Sequence, residues 1–399
     1  MDKLKNNLEL VRVWLDANRE RLIKLRRELR QHPELSWQET QTAKRLQNFL
    51  QEQGISGFTS GAGNGFWVDI QPPVAGELLA VRGDMDALPL PDKIEAPYRS
   101  RVDGVCHACG HDFHMSIVAG LAAFCREYQE ALPFGLRFIF QPAEEPIPSG
   151  APKMIESGAL NRVAAILGVH LEPELLVGEV SLTEGWVNAQ SIRLDWHFLG
   201  SGGHSARPGE ATQPLLAAVM LIQRLQQEIP DRWNRPGHPL VLTFTRFNSG
   251  EAYNSIPKTA ELTATLRITQ SDMREEILAY VRSVNSDLQK EFAVTLNYDA
   301  VAGAPPVVNN AGLVQKMRLN LPEAQSPFKI VKNFRSMGGD DFGWYSENIP
   351  AAMIRFGIAK PGQKAHMLHS SFFDAPEEVL GVAITFLAGQ LLSGNLLDR

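Results

Sequence analysis

The chain has 399 residues, of which 44% are hydrophobic and 21% are charged, and its formal net charge is −6. This length and composition predict a globular protein of two or three domains, and they exclude a disordered, collagenous or disulfide-stapled chain. The mild negative charge is spread along the chain without a basic patch, so no nucleic-acid partner is expected.

The first part of the chain alternates helices with short apolar strands. Apolar periodicity predicts helices over 5–31, 41–53 and 115–128. Short apolar runs predict strands at 66–70, 78–84, 136–141 and 164–170. This alternation is typical of an α/β sheet that is covered by helices on both faces.

The pattern changes in the middle of the chain. There the sequence predicts a strand, a helix, two strands, a helix and a last strand, at 191–200, 214–229, 239–248, 260–269, 273–292 and 294–300. This βαββαβ order is typical of a small ferredoxin-like α+β sandwich. A strand at 351–358 and a helix from about residue 376 resume the first pattern. We therefore predict a discontinuous sheet domain, 1–185 and 303–399, with an inserted domain at 186–302.

Neither terminal region predicts secretion or membrane insertion. The N-terminal 25 residues are charged throughout and lack the apolar stretch of a secretory signal. The uncharged stretch 379–397 is almost long enough to span a bilayer, but its glycines and polar residues predict a buried core helix. Three cysteines are too few for a disulfide framework and are typical of a reducing compartment. We expect a soluble, cytoplasmic protein without a membrane partner.

The densest chemical signal is the segment HACGHDFH at 107–114, just before an apolar helix. It places three imidazoles, a thiol and a carboxylate within eight residues. A metal site needs several lone-pair donors that converge on one point, and loops at strand ends supply that geometry. The simpler alternative is a polar loop in which Asp112 caps the helix.

Other possible donors stand at or beyond the ends of predicted strands: Asp84, Asp86, Glu144, Glu145, His170 and His369. Each of these is a weak signal alone, because a carboxylate pair often begins a helix or lies in a solvated loop. Together they place oxygen and nitrogen donors outside the strand ends, where open α/β folds bind their ligands.

These segments resemble a known family. The motifs RGDMDALP, HACGHDFH, FQPAEE, GVH, GGHSARP, NSIPKTAELTATLR, GGDDF and LHSSFFD occur in the order found in peptidase family M20, the dinuclear metallopeptidases. The resemblance covers nearly the whole chain, including RRELRQHPELSWQE at 26–39. It is closest to the amidohydrolase branch of aminoacylases, hippurate hydrolases, N-acetyl-diaminopimelate deacetylases and auxin-conjugate hydrolases. It implies a two-metal site in the sheet domain and homodimerisation through the inserted domain.

The resemblance implies a role for each matching residue. The implied metal ligands are Cys109, His111, Glu145, His170 and His369. Glu144 matches the general base, and His204 matches an inserted-domain histidine that reaches a neighbouring subunit's active site. Asn254 matches a substrate-contacting residue. The implied cofactors are two divalent metal ions, with zinc favoured by the mixed donors and manganese, cobalt or nickel as alternatives.

General chemistry agrees with these roles. Two cations lower the pKa of a bound water towards about 7, and metal binding deprotonates a thiol such as that of Cys109. Glu144 could then pass the proton of the water to the leaving amine, while His204 stabilises the oxyanion. Asp86 would orient a ligand histidine from behind. Arg267, on a strand of the inserted domain, either binds a substrate carboxylate or forms an ion pair across the sheet.

Several residues depart from the family pattern or are assigned to structure. The glutamate pair is followed by the stiff, proline-rich segment PIPSGAP, and Gly209 and Gln213 replace a usual His and Asp. These departures concern substrate choice and dimer contacts. Cys106 stands where Met is usual, and Asp340 stands where Glu is commoner. We assign Cys125 to the core. Three histidines are expected at the surface or at helix caps: His32, His197 and His238. We expect His107 and His114 either to support a metal ligand or to cap a helix.

The sequence therefore predicts a metal-dependent amidohydrolase. Its substrate would be an N-acyl-amino acid or a related conjugate, attacked by a metal-bound hydroxide with Glu144 as general base. Three alternatives stay open: a dipeptidase or carboxypeptidase on the same scaffold, an amidase with Cys109 as nucleophile, and a binding protein without catalysis.

Overall fold

The computed structural model describes residues 2–71, 76–321 and 327–397. These residues form two compact units. The first comprises the described parts of Met1–Val187, Val307–Arg335 and Asp341–Arg399, and the second comprises Asn188–Pro306 and Ser336–Asp340.

The helices of the described chain are α1 (Asp2–Gln31), α2 (Thr40–Glu52), α3 (His111–Glu127), α4 (Gly150–Glu156), α5 (Pro214–Trp233), α6 (Met273–Phe292), α7 (Ala311–Asn320), α8 (Gly343–Asn348) and α9 (Glu378–Ser393). The first eight strands are β1 (Thr59–Ser60), β2 (Phe66–Ile70), β3 (Leu78–Asp84), β4 (Gly135–Gln141), β5 (Val163–Leu176), β6 (Glu179–Ser181), β7 (Gly185–Asn188) and β8 (Gln190–Leu199). The later strands are β9 (Gly203–His204), β10 (Val241–Ser249), β11 (Ser255–Ile256), β12 (Thr259–Ile268), β13 (Thr295–Ala302), β14 (Val307–Asn309), β15 (Lys329–Val331) and β16 (Ala351–Ala359).

The first unit is built on an eight-stranded sheet with the order β1-β2-β4-β3-β5-β16-β6-β15. Its centre is parallel, because β3 runs parallel to β4 and β5, and β16 runs parallel to β5. Alternate residues of β3 face different cores: Leu79 and Val81 pack with α1, α3 and α9, and Leu78 and Ala80 pack with α4 and α8. The predicted α/β sheet covered on both faces is confirmed.

The second unit has a four-stranded sheet with the order β10-β12-β8-β13, in which all neighbours are antiparallel. One apolar core joins this sheet to α5 and α6. The strand order and the βαββαβ sequence of elements are those of the predicted ferredoxin-like sandwich.

Two elements are longer than apolar periodicity predicts. The helix predicted from residue 115 begins at His111, after Gly110 in a left-handed conformation with φ 85°. The polar residues of HDFH carry no apolar repeat, so the pattern could not show this first turn. The strand predicted to end at His170 continues to Leu176. His111 therefore lies on the first turn of a helix and His170 within a strand, so both have regular backbones.

The apolar C-terminal stretch forms α9, and Phe386 and Leu387 within it are fully buried in the core of the first unit. The core helix predicted for this stretch is confirmed. Among the described residues, no helix combines the length and the apolar character needed to cross a membrane.

Candidate metal centre

Five predicted metal ligands converge within the first unit. The donor atoms of Cys109, His111 and Glu145 all lie within 4.8 Å of one another. His170 Nε2 lies 3.9 Å from Cys109 Sγ, and His369 Nε2 lies 3.4 Å from Glu145 Oε1. The structure thus brings together side chains from four separate segments, and their role as ligands stays a prediction.

Hydrogen bonds orient two of the imidazoles for metal binding. His111 Nδ1 lies 2.8 Å from the backbone oxygen of Asp86, and His170 Nδ1 lies 2.6 Å from that of Leu171. A carbonyl oxygen only accepts, so Nδ1 carries the hydrogen and Nε2 presents a lone pair in the neutral ring. His111 Nε2 is buried without a hydrogen-bond partner among the described residues. A mixed set of sulfur, nitrogen and oxygen donors with an unpaired buried nitrogen fits divalent cations.

The burial of the centre shifts the pKa values of its groups in opposite directions. Burial raises the pKa of the Cys109 thiol well above its ordinary value. Burial and the neighbouring Arg355 cation lower the pKa of His170, which keeps this ring neutral. Burial also opposes the charge of His111, but the Asp84 charge and Asp86 outweigh it and raise the pKa of His111 well above its ordinary value. A cation at the centre has to displace protons from Cys109 and His111.

Asp86 connects the histidine and glutamate segments. Its carboxylate accepts the backbone N–H groups of Glu144 and Glu145 at 2.9 and 3.1 Å. Ser36 Oγ donates to the same carboxylate at 2.7 Å, and His111 Nδ1 lies 3.4 Å from it. Asp86 was predicted to orient a ligand histidine, and in the structure it also fixes the backbone of both glutamates.

Asp84 and His114 form a hydrogen bond with each other. Both belong to a buried cluster of possible metal-binding side chains that also includes His111. His114 Nδ1 lies 2.7 Å from Asp84 Oδ1, and His114 Nε2 accepts the backbone N–H of Leu171 at 3.0 Å. Both ring nitrogens of His114 are therefore used within the protein, and it lies behind the centre rather than at a helix cap. This arrangement holds Leu171, the residue after His170, in place.

His107 does not act as a helix cap. It is 1% exposed, and neither ring nitrogen has a hydrogen-bond partner among the described residues. Burial lowers the pKa of His107 to about 4, so this ring is neutral at physiological pH. Cys125 is fully buried on α3, as its apolar position predicts.

Two arginines of α1 contact the segments that carry the predicted ligands, and the sequence did not predict this role for them. Arg26 Nε donates to Asp112 at 2.8 Å, and Arg26 Nη2 donates to Asp374 at 2.5 Å. Arg30 Nη2 donates to the backbone oxygen of Phe373 at 2.6 Å. Asp112 therefore pairs with an arginine and does not cap α3. The signal was present in the sequence, because Arg26 and Arg30 lie four and eight residues after Leu22, on the apolar stripe of the helix.

His369 is held by its backbone. Its N–H donates to the carbonyl oxygen of Ala108 at 2.8 Å, next to Cys109. Its φ of 62° lies in the left-handed region, which costs a residue with a Cβ about 1–2 kcal/mol. Strained backbone of this kind clusters at functional sites.

The three predicted substrate-site residues of the inserted domain lie in the second unit. His204 pairs with Ser255 in the small β9–β11 ladder, and Asn254 accepts the backbone N–H of Ser205 at 3.2 Å. Asn254 directly precedes β11, so it lies next to the residue that pairs with His204, and both His204 and Asn254 are exposed.

Among the residues that the structure describes, Arg267 has no ion-pair partner across the sheet, which was one of its two predicted roles. It faces Val241 and Ser191 on the adjacent strands, and neither of these is acidic. Its Nη1 donates instead to the backbone oxygen of Met337 at 2.6 Å.

The chain matches a family model. The model described as "Peptidase family M20/M25/M40" covers residues 80–393, which is most of the chain.

Individual relatives match over nearly their whole lengths. N-acetylcysteine deacetylase of Bacillus subtilis (strain 168) is 33% identical over 369 residues, which cover 92% of this chain and 95% of that protein. IAA-amino acid hydrolase ILR1-like 2 of Arabidopsis thaliana is 32% identical over 378 residues, which cover 91% of this chain and 83% of that protein. Among solved structures, Bacillus subtilis YXEP, described as a dinuclear metal binding peptidase from the M20 family, superposes with a TM-score of 0.82. It is 32% identical, and the match covers 95% of this chain and 98% of that one.

Proposed function

Because the chain belongs to peptidase family M20/M25/M40, we propose that its metal centre hydrolyses the amide bond of small N-acyl amino acids. The protein is a metal-dependent amidohydrolase. The observation that supports this proposal for the site is the convergence of Cys109, His111, Glu145, His170 and His369 on one place, where the first, second and fourth are buried and His369 lies at the exposed side. Glu144 adjoins these donors and is not one of them.

We propose that the five converging side chains hold two divalent cations, with zinc preferred by the mixed sulfur, nitrogen and oxygen donors. When bound, such cations act as Lewis acids that polarise the amide carbonyl and make an attacking water acidic. His170 is already neutral and would offer Nε2 for this purpose, whereas His111 and the Cys109 thiol would each first have to give up a proton.

Glu144 is proposed as the general base. Its carboxylate oxygen Oε1 accepts the backbone N–H of Asp341 at 3.2 Å, and its own N–H is held by Asp86. A glutamate that is held both at its carboxylate and at its backbone can take the proton of the attacking water and deliver it to the leaving amine. These two proton transfers by one group are what amide hydrolysis requires, because an amine leaves poorly without a proton.

His204 is proposed to donate to the developing oxyanion of a neighbouring subunit, and Asn254 to contact the substrate there. Both residues are exposed and lie side by side in the second unit. This role requires a homodimer formed through the second unit. Arg267 is proposed as a contact for the substrate carboxylate, because its guanidinium has further donors beyond the one bonded to Met337.

The names of the relatives support the proposed substrate class. One is named for N-acetylcysteine and the other for IAA-amino acids, so both names describe an amino acid that carries a conjugated group. We propose an N-acyl amino acid as the substrate of this chain and a cytoplasmic location, which is compatible with its three free, buried cysteines.

A substrate panel tests this proposal. The metal-loaded protein is assayed with N-acetyl and N-benzoyl amino acids and with matched dipeptides. Higher kcat/KM for acyl amino acids is expected, whereas a preference for dipeptides throughout would favour the dipeptidase alternative. Full activity after chelation would instead favour a Cys109 nucleophile, which the raised pKa of this buried thiol opposes.

The catalytic base is tested with Glu144→Gln. This substitution keeps the size of the side chain and removes its capacity as a base. We expect turnover to fall by about 10²–10⁴-fold with unchanged metal content. Wild-type turnover would show that Glu144 is not the base, and no turnover of any amide by the wild-type protein would favour a binding function.

A further inference from the structure

The GGDDF motif has no role in the proposed function, yet its second aspartate is buried among the segments that carry the metal centre. Asp341 is 2% exposed. Arg82 Nη2, on β3, donates to Asp341 Oδ1 at 2.6 Å. Such a buried carboxylate with several charged and neutral donors is held in one rotamer.

The other carboxylate oxygen of Asp341 joins the two ends of the loop that carries Glu144 and Glu145. Gln141 Nε2, at the end of β4, donates to Oδ2 at 2.7 Å. The backbone N–H of Ala151, at the start of α4, donates to the same oxygen at 3.0 Å. One atom therefore fixes the distance between the residues at which this loop begins and ends.

The main chain of Asp341 contacts Glu144 itself. Its N–H donates to Glu144 Oε1 at 3.2 Å. The backbone of Asp341 is immobilised by the three bonds to its own side chain, so the direction of this donor is fixed. Glu144 is thus held at its carboxylate by Asp341 and at its backbone N–H by Asp86.

We propose that Asp341 is the positioning residue for Glu144: its side chain closes the glutamate loop, and its N–H aims the Glu144 carboxylate. This inference rests on the proposed role of Glu144 as the general base. A general base acts only within hydrogen-bond reach of the proton it removes, and a misplacement of about 1 Å can lower the rate about 10²-fold.

Asp341→Asn tests the positioning. The asparagine amide keeps one acceptor oxygen and replaces the other with an NH₂ group, which faces donors from Arg82 or from Gln141 and Ala151. The loop should shift while the metal ligands remain. We expect kcat to fall about 10–100-fold, with KM within about twofold of wild type and with unchanged metal content. Metal analysis and the melting temperature of the chelated protein are measured beside the kinetics.

Asp69→Asn is the matched control. Asp69, on β2, accepts two bonds from Arg137 on β4 at 2.7 and 2.8 Å, in the same sheet as Arg82. This variant loses an arginine–carboxylate pair away from the glutamate loop, so it should lower the melting temperature and keep wild-type kcat. If Asp341→Asn does not fold, Gln141→Met removes a single donor to Asp341, and the same pattern is expected with a smaller loss of kcat.

Two outcomes overturn the positioning role. One is a kcat of Asp341→Asn within twofold of wild type, and the other is a loss of kcat that follows a loss of bound metal. Glu144→Gln is measured in the same series to separate the two hypotheses. An active Glu144→Gln shows that the base assignment itself is wrong. An inactive Glu144→Gln beside a fully active Asp341→Asn overturns only the positioning.

Discussion

Arg26 and Asp112 form a buried ion pair, with Arg26 Nε donating to Asp112 Oδ2 at 2.8 Å and neither side chain exposed to solvent. Asp112 directly follows His111 on the first turn of α3. The same guanidinium also binds Asp374, in the segment that follows His369. One arginine on α1 thereby ties together two segments that supply predicted metal ligands.

Arg26→Met is expected to destabilise the protein strongly. It leaves the Asp112 carboxylate buried without this cation, and breaking a buried pair in this way costs about 3–5 kcal/mol of unfolding free energy. Arg12→Met is the control on the same helix, because Arg12 pairs with Glu9 and Asp16 on the surface, where solvent screens the pair, so this variant should lose far less unfolding free energy. Urea unfolding measures both. Equal losses of unfolding free energy in the two variants would show that the buried ion pair stabilises the protein no more than the exposed one.

Removal of the metals should abolish turnover and lower the melting temperature together. Cations that bind only the folded state stabilise it, by about 4 kcal/mol for each site at a thousandfold excess over Kd. Chelation followed by thermal melting, assay and metal re-addition checks this expectation. Cys109→Ala should bind less metal than wild type. A chelated protein with an unchanged melting temperature would contradict a metal centre that involves these buried donors.

Mixed dimers test whether His204 acts in the partner subunit. Glu144→Gln and His204→Ala are each expected to be inactive, the second by about 10²–10³-fold from a lost oxyanion donor. In a mixed dimer, one of the two sites combines an intact Glu144 with an intact His204 from the other chain. Co-refolding equal amounts should therefore restore about a quarter of wild-type activity. If His204 serves its own chain, no recovery occurs.

Glu39 should make the stability of the protein pH-dependent. Burial, with a smaller effect of the nearby Asp86 charge, raises the pKa of Glu39 from 4.5 to about 7 in the folded protein. The folded state therefore binds this proton more tightly than the unfolded chain. The protonation of Glu39 therefore contributes about 3 kcal/mol to the free energy of unfolding. This contribution is complete below about pH 4.5 and is lost as the pH rises through about 7.

Glu39→Gln removes this titration and keeps an acceptor for the N–H groups of Trp37 and Ala143, which Glu39 Oε1 accepts at 3.0 and 2.8 Å. Relative to wild type, the variant should gain unfolding free energy between pH 5 and 8 in urea titrations. Glu52→Gln, exposed at the other end of α2, should not change the pH dependence. Parallel curves for wild type and Glu39→Gln would contradict the raised pKa.

Apolar patterns predicted most of the fold, strand-end chemistry predicted a group of candidate donors, and the family resemblance selected the five proposed ligands among them. The alternation of apolar residues depends on local spacing alone, so it showed β2 and β3 with their observed bounds. Donors at or beyond the ends of parallel strands meet at one edge of a sheet, which is why residues as distant in sequence as Glu145 and His369 could be grouped.

The supporting contacts could not be predicted in the same way. The burial of Arg26 depends on α9 and on the segment near Asp374, and no local pattern encodes a partner more than 300 residues away. The first turn of α3 was missed because its histidines serve the centre and interrupt the apolar repeat. Asp341 was visible within a motif, but its contacts to both ends of the glutamate loop appear only when β3, β4 and α4 are assembled.

The position of β16 in the sheet has a consequence for biosynthesis. This strand lies between β5 and β6, and it is made only after the whole of the second unit has been translated. Until then, the nascent chain has an open sheet edge at β5, which is the kind of surface on which misassembly begins. His369 is translated later still, so the full set of proposed ligands can assemble only after β16 has been made.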